Sequence, residues 1–333
     1  MTWLVTGGAG FIGAHVVREM EAAGHHVVVL DDLSSGSRDR IPNTPLVVGT
    51  VLDRTLVERT LAQHAVHGVV HVAGRKQVAE SVTRPFYYYR ENVGGQLNVL
   101  EAMCEVGVDK LVFSSSASVY GMPDVDLVDE ATPVNPLSPY GQTKAAGEWM
   151  VEDAATAFGL TYMNLRYFNV AGAATAQLGD PAALNLIPMI FERLTEGRRP
   201  RLFGADYPTP DGTCVRDFIH VEDIARAHVA SVEHLETSGP SCTLNIGRGQ
   251  GASVLEVLRA ISEVTGLDTT PEVLPRRAGD PARVVASADR ITEVLGWVPK
   301  YDLTDMVSSA WAAWQLRHPA ARALSSDPLV PVS

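Results

Sequence analysis

Residues 6–13 read TGGAGFIG, set between the apolar run Trp3–Thr6 and an amphipathic stretch over Phe11–Ala23. Gly7, Gly10 and Gly13 share this stretch, and Gly8, Gly10 and Gly13 also satisfy the form G-x-G-x-x-G. A glycine triplet alone says little, because tight strand-to-helix turns use glycine for structural reasons. Its placement after a strand and at the opening of a helix says more. There the backbone must turn sharply, approach a pyrophosphate with no Cβ in the way, and let helix pack on strand. The helix N-terminus then offers N–H donors and a positive dipole end to phosphates. The next apolar run, Val27–Leu30, ends on Asp31, 18 residues past Gly13. A carboxylate at that strand tip accepts hydrogen bonds from an adenosine ribose and repels a 2′-phosphate. Asp32 adds a second negative charge, so the expected cofactor is NAD rather than NADP.

The alternation continues outward. Val69–Val72, Leu111–Ser114 and Tyr162–Leu165 read as further strands, and Thr55–Gln63, Phe86–Glu105 and Pro139–Phe158 as helices. Strands with little polar alternation are buried on both faces, so the rhythm predicts an α/β fold with a doubly wound parallel sheet. After Gly172 the rhythm loosens around Pro181, Pro188, Pro200, Pro208 and Pro210. A helix at Val221–Leu235 and a strand at Thr243–Ile246 are expected to return to the first sheet. Ser253–Thr265, Ala288–Leu295 and Asp302–Leu316 read as helices of a smaller second region. The expected division is a nucleotide-binding unit over residues 1–172 with a return segment of about 217–247, and a substrate unit over the rest of 173–333. The Pro/Ser/Ala-rich tail after His318 is expected to be loose.

The 333 residues are 46% apolar and 20% charged, an ordinary globular balance. A net charge of −12, with no Lys/Arg-rich run, argues against nucleic acid and anionic lipid as partners. No stretch reaches the roughly 18 apolar residues of a bilayer span, and the N-terminus lacks a basic leader region. Three scattered cysteines suit neither a disulfide framework nor a zinc site, so no metal is expected and the cytosol is the expected compartment. Against so acidic a background, an anionic ligand must be held by locally placed arginines and backbone N–H groups.

Tyr140 and Lys144, in SPYGQTK, stand four residues apart on one helix face behind Pro139. The strand Leu111–Ser114 runs into Ser114-Ser115-Ser116, an uncharged source of a hydroxyl. A tyrosine of pKa about 10 is only ~0.1% ionised at pH 7, so a phenolate base needs ~4 kcal/mol of help. One positive charge about 5 Å away, at an effective dielectric of ~20, supplies ~3 kcal/mol. Lys144 is thus expected to supply most of the help and an oxidised nicotinamide ring the rest, against desolvation.

TGGAGFIG, HVAG (71–74), SSSASVYG (114–121) and YGQTK together resemble the extended short-chain dehydrogenase/reductase family. LRYFNVAGA (165–173) and DYPTPDGTCVRDFIHVEDIA (206–225) resemble its UDP-glucose 4-epimerase branch, and the likeness runs from Thr2 to about His318. It implies a Rossmann domain with a smaller C-terminal α/β substrate domain, usually in a homodimer. It also implies Tyr140 as catalytic base, Lys144 as its electrostatic partner and ribose contact, and Ser116 as the hydroxyl bonded to the sugar O4. Phe11, Ile12, Asp31, Asp32, Ala73, Gly74, Lys76, Asn92, Ser114 and Phe168 fall where the family touches NAD. Asn169, Asn185, Leu186, Phe203, Arg216, Arg277 and Asp280 fall where it holds a UDP sugar. Arginine suits the diphosphate, since its fork is always charged and can bond bidentately.

The chain also departs from the family. Gly49-Thr50-Val51 replaces the usual Gly-Asp-Ile, removing a carboxylate from the adenine side, and Phe218 replaces a common tyrosine. Arg283 is matched to a position linked to acceptance of N-acetylated sugars. It either fills the sugar pocket, the favoured outcome, or points outward and leaves room. The resemblance implies interconversion of UDP-glucose and UDP-galactose through a 4-keto sugar, with 4-epimerisation of an N-acetylated or uronic UDP sugar as the alternative. Dehydration is disfavoured, because Ser116-Ala117-Ser118 lacks the acid and base that elimination needs. A non-catalytic NAD-binding scaffold would have lost the serine, tyrosine or lysine, and all three are present.

Overall fold

In the computed structural model, which describes residues 1–277 and 279–324, the expected rhythm becomes a seven-stranded, wholly parallel sheet. Its strands are β1 (Thr2–Thr6), β2 (His26–Asp31), β3 (Leu46–Val48), β4 (Gly68–His71), β5 (Lys110–Ser116) and β6 (Thr161–Tyr167). The chain then passes through β7 (Asn169–Ala171), β8 (Arg201–Phe203) and β9 (Val215–His220) before returning as β10 (Cys242–Ile246). β10 pairs in parallel with β6, giving the order β10-β6-β5-β4-β1-β2-β3.

Helices α1 (Phe11–Ala22), α2 (Arg54–Gln63), α3 (Val78–Thr83), α4 (Pro85–Tyr88), α5 (Gly95–Val106), α6 (Pro139–Phe158), α7 (Leu186–Thr195) and α8 (Val221–Glu236) follow, with α1 and α8 covering one face of the sheet, α2, α5 and α6 the other, and α7 packing beyond it. Successive strand residues point to opposite faces, and here both faces are dry. Val5, Val29, Val70 and Val112 join Val16 and Met20 of α1 and Ile224 and Val232 of α8 in one core. Leu4, Val28, Val69 and Leu111 join Val57 of α2, Met103 of α5 and Val151 of α6 in another. That is why these strands lack polar alternation. Buried Trp3 donates its indole N–H to Glu236 at 2.9 Å, tying the first strand to the returning helix. Gly68 lies so close to that indole that a Cβ there would meet the ring at 2.4 Å.

The expected single helix Phe86–Glu105 is interrupted. Between α4 and α5 the turn Tyr89–Gly94 is π-helical, and it carries buried Asn92. Single π turns cluster at functional sites because the widened turn re-aims a side chain.

Beyond the sheet lie β11 (Gly251–Ser253), α9 (Val254–Thr265), β12 (Glu272–Leu274), β13 (Arg283–Val284), α10 (Asp289–Leu295) and α11 (Leu303–Arg317). β9 is flanked by β11 and β13 and also pairs with β7, while β8 pairs with β12. Phe191, Phe218, Ile261 and Trp311 form the core beneath α9 and α11, whereas Ile291 of α10, expected in the second region, joins the sheet core beside α8 and β10. Ser253 and Asp302 cap α9 and α11 with full capping boxes. Asp217, buried beside Arg216, accepts from the N–H groups of Arg248, Gly249 and Ala286 at 2.8–3.2 Å, and burial lifts its pKa to about 6. That carboxylate clips the 248–249 turn and the segment after β13 onto β9. Past His318, where a loose tail was expected, Pro319–Leu324 forms helix α12 with Ala321 buried; the rest of the tail lies outside the described residues.

Candidate active site

A cleft of about 620 Å³ runs along the C-terminal ends of β1, β2, β4 and β5. In open α/β sheets this is where ligands bind. Gly7, Gly10, Phe11, Ile12 and Gly13 line it, as do Asp31, Asp32, Ala73, Gly74, Lys76, Ser114 and Phe168. A Cβ on Gly13 would sit 2.1 Å from the Gly7 carbonyl oxygen, so only glycine allows this turn to close. Gly10 caps α1 with no side-chain hydrogen bond, and no acidic residue stands in the first turn. The free N–H groups of that turn are therefore open to an anion.

Asp31 is buried, and its carboxylate accepts from Ala9 N–H at 2.9 Å and Leu33 N–H at 2.8 Å. Burial pushes its carboxyl above the ordinary value, against the pull of those two donors. Asn92 sits behind the cleft wall: its amide takes the Arg75 N–H at 2.7 Å and returns a bond to the Arg75 carbonyl at 3.0 Å. A second Asn92 bond reaches Thr143 on α6 at 3.0 Å. The π-helical turn thus fixes the loop after β4 against α6.

Ser116, Tyr140 and Lys144 line the other end of the cleft. Pro139 and the Ser138 cap start α6, with Ser138 Oγ accepting from Gly141 N–H at 3.1 Å. Lys144 is buried and donates from Nζ to the Ser114 carbonyl at 2.6 Å. Burial lowers its pKa to about 8, with the Glu148 charge pulling it back up. Burial also raises the Tyr140 phenol above its ordinary value, while the Ser116 hydroxyl opposes that rise by hydrogen bonding. The expectation that Lys144 supplies most of the help toward a phenolate therefore needs correcting. At the phenol desolvation is the larger effect and the Ser116 hydrogen bond the one opposing it, with no contribution from the Lys144 charge.

Two polar groups below the site escaped the sequence reading. Arg166 of β6 grips Glu148 of α6 with two bonds of 2.9 and 2.6 Å, and Ser115 Oγ donates to the same carboxylate at 2.5 Å. Arg166 also reaches the Tyr120 hydroxyl at 2.7 Å, which in turn donates to Asn245 of β10 at 2.7 Å. Glu148 stands four residues beyond Lys144, a spacing visible in the sequence. Tyr167, also lining the cleft, pairs its hydroxyl with buried His228 at 2.5 Å. Burial lowers that imidazole to about 4, so it is neutral.

Of the residues expected at a UDP sugar, Asn169 and Asn185 line the same cleft, and Asn185 donates to Asp180 at 2.6 Å. Leu186 opens α7 and packs on the core beneath it. Phe203, Arg216, Arg277 and Asp280 gather in a separate cluster. The Arg277 guanidinium stands 3.8 Å over the Phe203 ring, Arg216 pairs with Asp280, and Asp280 N–H bonds back to the Arg277 carbonyl at 3.3 Å. Arg283 does not enter the cleft, contrary to the favoured expectation. It is exposed, with Nε donating to the Asp126 carbonyl at 3.2 Å. Adjacent strand residues face opposite ways, so its neighbour Val284 packs instead on the cluster of Tyr120, Phe168 and Ala286.

Fold and site together define a dinucleotide-binding α/β protein with a serine–tyrosine–lysine trio at one end of its cleft. The chain belongs to the NAD dependent epimerase/dehydratase family, which residues 3–247 match. It is 48% identical to the UDP-glucose 4-epimerase of Azospirillum brasilense, over 94% of this chain and 91% of that one. The structure of UDP-glucose 4-epimerase from Bifidobacterium longum in complex with NAD⁺ and UDP superposes with a TM-score of 0.88. It is 36% identical, over 96% of this chain and all of that one. The UDP-Glc/GlcNAc 4-epimerase of Campylobacter jejuni follows at a TM-score of 0.84 and 38% identity, covering 94% and 99%.

Proposed function

We propose that this protein is an NAD-dependent UDP-glucose 4-epimerase. The observation that carries the reading is one cleft holding the glycine turn and Asp31 at one end and Ser116, Tyr140 and Lys144 at the other. The uncapped α1 N-terminus would take the pyrophosphate, Asp31 the adenosine ribose, and Lys144 the nicotinamide ribose. When bound, NAD supplies a reversible hydride acceptor and, in its oxidised form, the positive charge the phenol lacks. Tyr140 takes the 4-OH proton and later returns it, with Ser116 holding the sugar O4. Arg216, Arg277 and Phe203 grip the UDP, leaving the 4-keto hexose free to turn and present its other face. Binding energy placed on the remote nucleotide is what permits that rotation.

The division of labour proposed is a nucleotide unit over residues 1–172 and about 217–247, and a substrate unit over the remainder of 173–333. We also propose a cytoplasmic homodimer. Among the described residues no helix is long and apolar enough to cross a membrane. The neighbouring elements α3–α6 expose Val82, Phe86, Leu97 and Trp149, with Phe86 86% exposed, a face suited to a second copy. Light scattering that returns a monomer mass would remove the dimer from this account.

Freshly purified protein should convert UDP-galactose to UDP-glucose with no added NAD, and its acid extract should contain NAD(H). Asp31 and Asp32 repel a 2′-phosphate, so NADP(H) in that extract contradicts the cofactor assignment. Protein that carries NAD(H) but turns over no UDP sugar is the scaffold reading instead.

The outward course of Arg283 favours a wider sugar range. With Val284 rather than a long cation turned toward Phe168, UDP-N-acetylglucosamine should be epimerised within about tenfold of UDP-glucose in kcat/KM, the scale on which a pocket admits one extra group. Arg283→Ser should leave the ratio unchanged. A large rise in N-acetyl activity in that variant would show that Arg283 does occupy the pocket.

A further inference from the structure

Arg75 follows Gly74 in the loop after β4, at the adenosine end of the cleft. Its backbone is held on both sides by the Asn92 amide, so its starting point is fixed. From there the side chain crosses to the loop after β2. One guanidinium nitrogen meets Asp32 at 3.5 Å and Glu91 at 3.4 Å, and the other donates to Ser34 Oγ at 3.0 Å. Asp32 is itself braced by Ser34, whose N–H and hydroxyl both bond its Oδ1. Tyr87 backs the guanidinium, with the ring centroid 5.5 Å away. β2 and β4 flank β1, and Asp32, Ser34, Arg75 and Glu91 all line the cleft above the glycine turn.

We propose that Asp32, Arg75 and Glu91 form a strap across the adenosine end of the cleft that retains the dinucleotide between turnovers. The inference rests on the reading that NAD occupies this cleft. Arg75 is poorly placed to act as a phosphate ligand, because both terminal nitrogens of its guanidinium already face these partners and the two carboxylates outweigh its charge. Its structural effect is to join two loops that are otherwise separated by the β1 turn. A ligand seated on that turn, with its ribose at Asp31, leaves only after the bridge parts. An epimerase returns its hydride to the same substrate and has no need to exchange cofactor, so slow release costs it nothing in rate.

The test is the release rate of bound NADH, followed by fluorescence after a chase with excess NAD⁺, for wild type, Arg75→Gln, Glu91→Gln and the double variant. Thermal unfolding of each confirms that it is folded. Arg75→Gln should release NADH roughly fivefold faster, the rate equivalent of two partly exposed ion pairs; Glu91→Gln, which breaks one of them, roughly twofold faster; and the double variant no faster than Arg75→Gln. Wild-type release should quicken with added salt more than that of Arg75→Gln. Arg75→Gln release within about twofold of wild type overturns the strap while leaving the cofactor reading intact. Faster release from Arg75→Gln with unchanged or slower release from Glu91→Gln also overturns it, by showing that Arg75 touches the cofactor directly. Wild-type protein unable to hold NAD(H) overturns the cofactor reading, and the strap with it.

Discussion

Tyr140→Phe is expected to lower kcat by about 10³-fold or more while leaving bound NAD(H) and the unfolding transition unchanged. The variant removes one hydroxyl from a cleft whose walls are otherwise dominated by backbone and by side chains rooted in other elements. Its loss therefore reports on proton transfer rather than on architecture. The size of the effect follows from the state of the nearest hydroxyls and imidazole. Ser116 and Ser118 do not titrate, the Tyr167 hydroxyl is tied to His228, and burial holds that imidazole far below neutrality. A variant retaining a tenth of wild-type turnover removes Tyr140 from the role of base. The phenol starts above its ordinary value, so activity should rise with pH across the range where the cofactor-bound phenol ionises. Lys144→Met should move that limb to higher pH and also lower the rate. An unshifted limb leaves Lys144 as a ribose anchor alone.

The second large effect is on stability. Arg166→Met should destabilise the fold by about 3–5 kcal/mol, because it strands the Glu148 carboxylate in the protein interior. Both groups of this pair are nearly inaccessible, with side-chain exposures of 7% and 3%, so solvent screening offers little relief. Arg166→Met combined with Glu148→Leu should recover much of the loss, since replacing a whole buried pair by apolar groups is often neutral. Urea unfolding of both singles and the double decides it. A double variant as unstable as Arg166→Met would mean that the lost bonds to Tyr120 and Ser115, not the stranded charge, set the cost. Glu148 also faces Lys144 one turn away, so Glu148→Leu should lower the Lys144 pKa further and shift the activity profile.

The parallel sheet was legible because its strands are dry on both faces and its helices carry apolar periodicity and caps. The same signal is absent from β7, β8 and β11–β13, which are two or three residues long and too short to show a period of two. The π-helical turn at 89–94 is likewise invisible, since nothing in YRENVG distinguishes a widened turn from an ordinary one. For the site, glycine spacing, Asp31 and the Tyr140–Lys144 pair were readable because each is a local pattern. Arg75, Glu148 with Arg166, and Tyr167 with His228 act through partners from distant parts of the chain, so only the folded chain brings them together. Arg283 shows the opposite error. A local match placed it at a pocket, and the alternation of β13 turned it away by one residue. The burial of Tyr140 and Lys144, which raises the one and lowers the other, likewise has no signature in the spacing of two residues.

The return of the chain as α8 and β10 bears on how the gene can be divided. A polypeptide stopping at Gly172 would lack Ile224, Val232 and Leu235 from the core on the α1 face and leave Trp3 without Glu236. It would also bare the edge of β6 from Met163 to Tyr167, an open row of backbone donors and acceptors that invites intermolecular pairing. The two halves are thus not interchangeable cassettes. A chimera meant to exchange sugar preference between relatives must keep α8 and β10 with the parent of β1–β6. It needs one splice before Val221 and another after Ile246, and α10 with Trp297, which packs on α8 and β10, must come from the same parent. A single crossover after Gly172 would join a sheet to an edge strand and helix that evolved against a different partner.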